Sequence, residues 1–245
     1  MLAKHMRMLL INANTSESIT GLVVASARAI AAPSTEISGA TARFGMRYIA
    51  TRTSFAIAGH AAVDAYAAYG ADFDAVVLAC FGDPGLAALQ EIATVPVIGM
   101  AEAACREAAT HGRFAIVTGG ARWIPMLTEY MGALGLADQL AGVHAVAPTG
   151  ADIALDPEGS IALLADACET AARKFGADVV VLGGAGLAPI ASRVAAAVSV
   201  PVIDGLAAAV QAAERAAAAR NAPSLTEAPA IGLSKELKKI LTRTR

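Results

Sequence analysis

Residues 70–104, GADFDAVVLACFGDPGL followed by VPVIGMAEAA, return in altered form at 176–209 as GADVVVLGGAGL followed by VPVIDGLAAA. Each copy runs from an apolar strand through a glycine-containing loop into a helix. Val-Pro-Val-Ile then leads into another helix. A repeat of this length points to two similar halves. It predicts an α/β fold of two similar Rossmann-like lobes with parallel sheets, related by a pseudo-twofold axis. The 245 residues suffice for two domains of about 100–150 residues each.

The rest of the chain keeps the alternation. Strands are expected at 8–12, 35–42, 74–80, 95–99, 113–118, 142–148, 178–184 and 200–204, with Ala-rich helical stretches between them. Several runs are continuously apolar, as parallel strands covered on both faces are. Asp83-Pro84 and Asp156-Pro157 each place a capping carboxylate before a proline at a first helical position. One lobe is expected at 1–100 plus about 205–245, the other at 101–204. Ligands of open parallel sheets sit outside the carboxyl ends of the strands. Two such ends facing each other put Cys80 and Gly184, equivalent positions of the repeat, on opposite walls of one active-site cleft.

Charge narrows the function. Nineteen basic against 21 acidic residues give a formal charge of −2, which supplies no field for nucleic acid. Only the tail KELKKILTRTR is strongly basic, and it reads as a short exposed helix or a frayed end. Mean hydropathy is +0.55. Alanine supplies much of it, and the longest uncharged stretches are broken by Gly and Pro before the ~20 residues a bilayer requires. No membrane partner is expected. The opening MLAKHM lacks the order of a signal peptide and looks like an alternative start or a remnant of cloning. Cys80, Cys105 and Cys168 form no CxxC and have no nearby His, which argues against zinc and against a disulfide scaffold. A cytoplasmic setting follows.

Cys80 falls where a strand ends and a helix, expected at 84–93, is about to begin. Helix amides there would favour a thiolate, while the charge of Asp83 would oppose it. Gly82 and Gly85 let backbone amides approach an anion. The alternative is a small buried core residue, the usual state of a free cysteine. Cys105 and Cys168 lie mid-helix among alanines and read as core.

LLINANTS, ACFGDPGL, VPVIGMAEAA, VVLGGAGL and VPVIDGLAAAV resemble the hydantoin racemases, and the related allantoin racemases, of the aspartate/glutamate racemase superfamily. The resemblance covers most of the chain in order and spacing, and is most specific at Cys-Phe-Gly-Asp-Pro-Gly and Val-Pro-Val-Ile-Asp-Gly. It implies two α/β domains around a cleft, homo-oligomers, and cofactor-free proton transfer next to a carbonyl of a small-molecule substrate. Inverting a stereocentre through its carbanion takes a base on one face and an acid on the other, roles that two cysteines can exchange. The enolate is held by amide donors. Cys80 matches one family cysteine, and the other would occupy position 184, where this chain has glycine. Three accounts fit that departure: an engineered replacement, a natural weakened or altered racemase, or a single-cysteine enzyme like the arylmalonate decarboxylases. Against the last, Phe81-Gly82-Asp83 follows the hydantoin pattern.

The remaining substrate-binding candidates flank these positions. Asn12, Asn14 and Thr15 match the family's Asn-x-Asn-Thr loop, with turn and N-cap chemistry as their plainer role. Thr118 and Gly119 hold the equivalent place in the other half, and Phe81, Gly82 and Ala185 adjoin the two key positions. Thr53 and Ser54 match a ligand-approaching loop loosely. Asp204 reads as an N-cap, and Trp123 either shapes the cleft mouth or packs. His5, His60, His111 and His144 have no metal-ligand spacing. GGAGLAP lacks the third glycine of a dinucleotide fingerprint. A two-lobed binder without chemistry is the non-enzymatic rival.

Overall fold

The computed structural model describes residues 5–69, 72–148, 150–219 and 230–242; the first four residues and 243–245 of the basic tail lie outside them. The first half runs β1 (Met6–Asn12), α1 (Glu17–Ile30), β2 (Thr35–Thr41), α2 (Arg52–Tyr69), β3 (Ala75–Leu78), α3 (Leu86–Ile92) and β4 (Val97–Gly99). It continues through α4 (Met100–Ala109) into β5 (Phe114–Gly119), α5 (Trp123–Ala133), β6 (Leu140–Val146), α6 (Gly150–Leu155), α7 (Pro157–Phe175) and β7 (Val179–Gly183). A 3-10 turn (Ala185–Ile190), α8 (Ala191–Ala195), β8 (Val202–Asp204), α9 (Gly205–Ala216) and α10 (Lys235–Leu241) complete it.

The strands form two parallel four-stranded sheets, ordered β2-β1-β3-β4 and β6-β5-β7-β8. The orders correspond strand for strand, as the repeat predicts. All eight expected strands are present, with ends within two residues of those expected. The central strands β3 and β7 are buried throughout, which explains their uninterrupted apolar sequence.

The helices that follow the two edge strands are exchanged. Helix α4 leaves β4 but packs on β7 and β8, while α9 leaves β8 and packs on β3 and β4. One core therefore runs through both halves, joining Leu9 and Val77 to Phe114, Ile116, Val179 and Val181.

Capping departs from expectation at one of the two Asp-Pro sites. Asp156 caps α7 with Pro157 at the first helical position, accepting from the Gly159 N–H at 3.0 Å. Asp83 does not cap the helix beside it. Helix α3 begins only at Leu86, after Gly85 with φ 81°, where a side chain would overlap the Gly59 backbone. Asp83 itself has φ 56°, and that turn swings its carboxylate to the start of α4. There it accepts from the N–H groups of Ala101 at 3.0 Å and Glu102 at 2.7 Å. In the second half the corresponding helix α9 is capped locally, by Asp204 accepting from the Leu206 N–H.

The basic tail also differs from an exposed end. Ser234 caps α10, whose Leu237 and Ile240 are buried, and the helix lies against α2. Cys105 in α4 and Cys168 in α7 are fully buried core residues, as expected.

Candidate active site

A cavity of about 80 Å³ opens where the carboxyl ends of the central strands converge. The segment after β1 contributes Asn14, and the end of β3 contributes Ala79, Cys80 and Phe81. Thr118 and Gly119 come from β5, and residues 183–186 from β7 and its turn. Cys80 and Gly184 both line the cavity, so the repeat's two equivalent positions share one site.

Phe81 closes the site from below. Its ring lies where a Cβ at Gly183 would have to be, and it also contacts Gly205. Trp123 stands at one side with its ring edge toward Phe55, centroids 6.2 Å apart.

Not every expected substrate-binding residue faces the cavity. Asn12 is buried beneath it, its amide nitrogen donating to Asn14 Oδ1, the Ser16 carbonyl and Thr20 Oγ1. Its own Oδ1 accepts from the Asn14 N–H, so Asn12 shapes the loop that presents Asn14. The Thr15 N–H donates to the Met46 carbonyl, tying that loop to the β2–α2 connection. Gly82 lies on a neighbouring groove behind Trp123 and needs φ 112° there. Thr53 and Ser54 belong to the first turn of α2, outside the cavity lining. Ser54 Oγ accepts from the N–H groups of Ala50 and Thr51, a helix-start role.

Three lining residues of the β2–α2 connection, Arg47, Tyr48 and Ile49, escaped the sequence reading. The Tyr48 hydroxyl reaches the Gly119 carbonyl at 3.5 Å, a long contact that bridges the two halves over the cavity. Ile19 of α1 was missed as well. No turn or strand signal marks positions 47–49, because a loop folding back over a cleft leaves no periodic trace.

The thiol's electrostatics run against the helix-amide expectation. Burial pushes Cys80 up to about 12, and the charge of Asp83 adds to the rise. At neutral pH the resting sulfur therefore carries its proton. Asp83 itself is pushed up to about 7 by burial, although three donors oppose the shift: the two amides at α4 and the Tyr130 hydroxyl at 3.0 Å. Among the described lining residues none is His, Asp, Glu or Lys, and Arg47 is the one charged group.

At the repeat position equivalent to Cys80 the lining is backbone. Gly184 has φ 150° and ψ 129°, a conformation that side-chain-bearing residues rarely adopt. A Cβ built there would meet the Leu187 side chain at 3.2 Å. This wall is shaped for glycine, and Tyr48 and Thr118 are the hydroxyl-bearing residues of the described lining.

The profile of the Asp/Glu/Hydantoin racemase family matches residues 8–213. The hydantoin racemase of Rhizobium meliloti is 39% identical over 142 residues, 58% of this chain and 59% of that protein. The chain thus spans under two thirds of that relative's length. With the hydantoin racemase of Paenarthrobacter aurescens the match is 33% over 214 residues, 85% of this chain and 90% of the other. Among solved structures, the allantoin racemase of Pseudomonas fluorescens is similar at 35% identity and a TM-score of 0.82, covering 86% of this chain and 90% of that one.

Proposed function

Because the chain belongs to the Asp/Glu/hydantoin racemase family, we propose that it is a cofactor-independent, isomerase-type enzyme moving a proton at the carbon acid of a 5-substituted hydantoin or allantoin. The observation that carries this reading is that Cys80 and Gly184, at equivalent strand ends, line one small cavity. Cys80 serves one face of the carbon: the thiol rests protonated and first gives its proton to water, the thiolate then takes the substrate proton, and the resulting thiol returns it. The negative charge passes to the adjacent carbonyl oxygen, which backbone amides at the cavity floor and the Asn14 and Thr118 side chains stabilise. Among the described lining residues no second Cys and no His, Asp, Glu or Lys accompanies Gly184, so inversion depends on water.

In deuterium oxide the protein should therefore exchange the C5 proton of one hydantoin enantiomer at least ~10-fold faster than it inverts that centre. Equal rates would place a second proton carrier across the gap. Loss of carbon dioxide from an arylmalonate, without hydantoin exchange, would instead favour a decarboxylase, for which a thiol that rests protonated is the required donor. A cytoplasmic setting, which suits three unpaired thiols, and a homo-oligomeric assembly belong to the same proposal. Sedimentation velocity tests the assembly. Among the described residues no helix is long and apolar enough to cross a membrane.

A further inference from the structure

We infer that the substrate carries a carboxylate on the substituent of its reactive carbon, and that Arg47 recognises it. The inference rests on the activity proposed above and narrows its substrate class. Arg47 is the single charged residue of the cavity lining and the single exposed one, so it marks where the cavity meets solvent. The neighbouring arginines are already occupied: Arg43 pairs with Asp64 at 2.8 Å, and Arg52 with Glu129 at 2.6 Å. Arg47 has no hydrogen-bond or ion-pair partner among the described residues. The cavity opens to solvent at Arg47, so a substituent on a ring held beside Cys80 has that opening to extend into. A cation there, with apolar and uncharged neighbours such as Tyr48, Ile49 and Trp123, fits a carboxylate better than an alkyl chain. An uncharged substituent would leave the guanidinium in water and gain nothing from it.

The chain's one tryptophan, Trp123, lines the same cavity and reports binding without turnover. Its fluorescence is titrated with 5-carboxymethylhydantoin and with the neutral 5-carbamoylmethylhydantoin. The acid should bind about tenfold tighter at low ionic strength, an advantage that shrinks in ~0.5 M salt because the cation is exposed. Arg47→Met should bring the two ligands to within about twofold, and Arg47→Glu should reverse their order. Equal binding by the wild type, a preference surviving in Arg47→Met, or no binding of either ligand overturns the inference. Proton exchange is followed in parallel. Preferential binding of the acid without exchange of either hydantoin would sink the activity reading alone, and exchange of both with equal kcat/KM would sink the carboxylate inference alone.

Discussion

The Phe81 ring fills the space that a side chain at Gly183 would occupy, with three of its atoms against the place of the missing Cβ. Phe81 follows β3 in the first half and Gly183 ends β7 in the second, so the contact links the two halves directly beneath the cavity. Gly183→Ala must displace a ring that is 5% exposed. The variant is expected to lose about 1–3 kcal/mol of stability, read as a lower thermal midpoint. Exchange activity should fall with it. Phe81→Leu in the same chain should restore part of the midpoint, and no restoration would show that the ring is not the obstacle.

Cys80→Ser should lower hydantoin proton exchange by about 10³-fold while leaving the circular dichroism spectrum unchanged. The buried thiol also predicts a pH profile. A sulfur held near 12 is almost wholly protonated at neutrality, so alkylation by iodoacetamide should be slow at pH 7 and rise about tenfold per pH unit through the alkaline range. Mass spectrometry locates the label. A rate that levels off below pH 9 would contradict a thiol held up by burial.

Asp83 predicts a pH-dependent stability with a definite sign. Its carboxyl binds a proton more tightly in the folded protein, at about 7, than at its ordinary 3.8. Its contribution is therefore most favourable at the acid end of that window and declines as pH rises from about 4 to about 7. Asp83→Asn leaves a donor facing one of two buried amides and is expected to cost about 1–3 kcal/mol. The variant should lack the decline, so thermal midpoints of the two proteins converge as pH rises toward 7. Removing the charge should also shift Cys80 alkylation toward lower pH, since Asp83 helps hold the thiol up. Parallel melting curves across the window would contradict the assignment.

Gly184→Cys tests the opposite wall. At φ 150° a side chain is strained, and its Cβ would press on Leu187. Both Gly184→Cys and Gly184→Ala should therefore melt lower, by about 1–3 kcal/mol in stability. Only the cysteine should raise the ratio of inversion to exchange, by about tenfold, less than an unstrained thiol would give. Chiral chromatography of a hydantoin enantiomer measures it. An equal ratio in both variants would place the second face elsewhere.

The repeat made the paired sheets legible, and the matching loops at Cys80 and Gly184 made the cavity legible, because both are carried by residues close together in the chain. Asp83 shows where that legibility ends. In the second half Leu187 stands at the position of Asp83, and Asp204 at that of Gly99. The carboxylate that caps the following helix has thus moved from the loop to the strand end. Gly99 lacks a side chain where one would overlap the Asp83 carboxyl, which leaves the path open. Beside Pro84, Asp83 has every local mark of a cap for α3; its actual partners lie 18 and 19 residues on, a distance no capping pattern spans. Arg47, Tyr48 and Ile49 were hidden for a related reason, since only the fold decides which part of a connection leans over the cleft.

The crossed helices α4 and α9 also set an order of events during synthesis. The β3–β4 face of the first sheet waits for residues 205–216, made more than a hundred positions later. A ribosome that has released only the opening half exposes an apolar face with nothing to cover it. Fragments split near residue 100 should each be insoluble alone and regain solubility only when produced together.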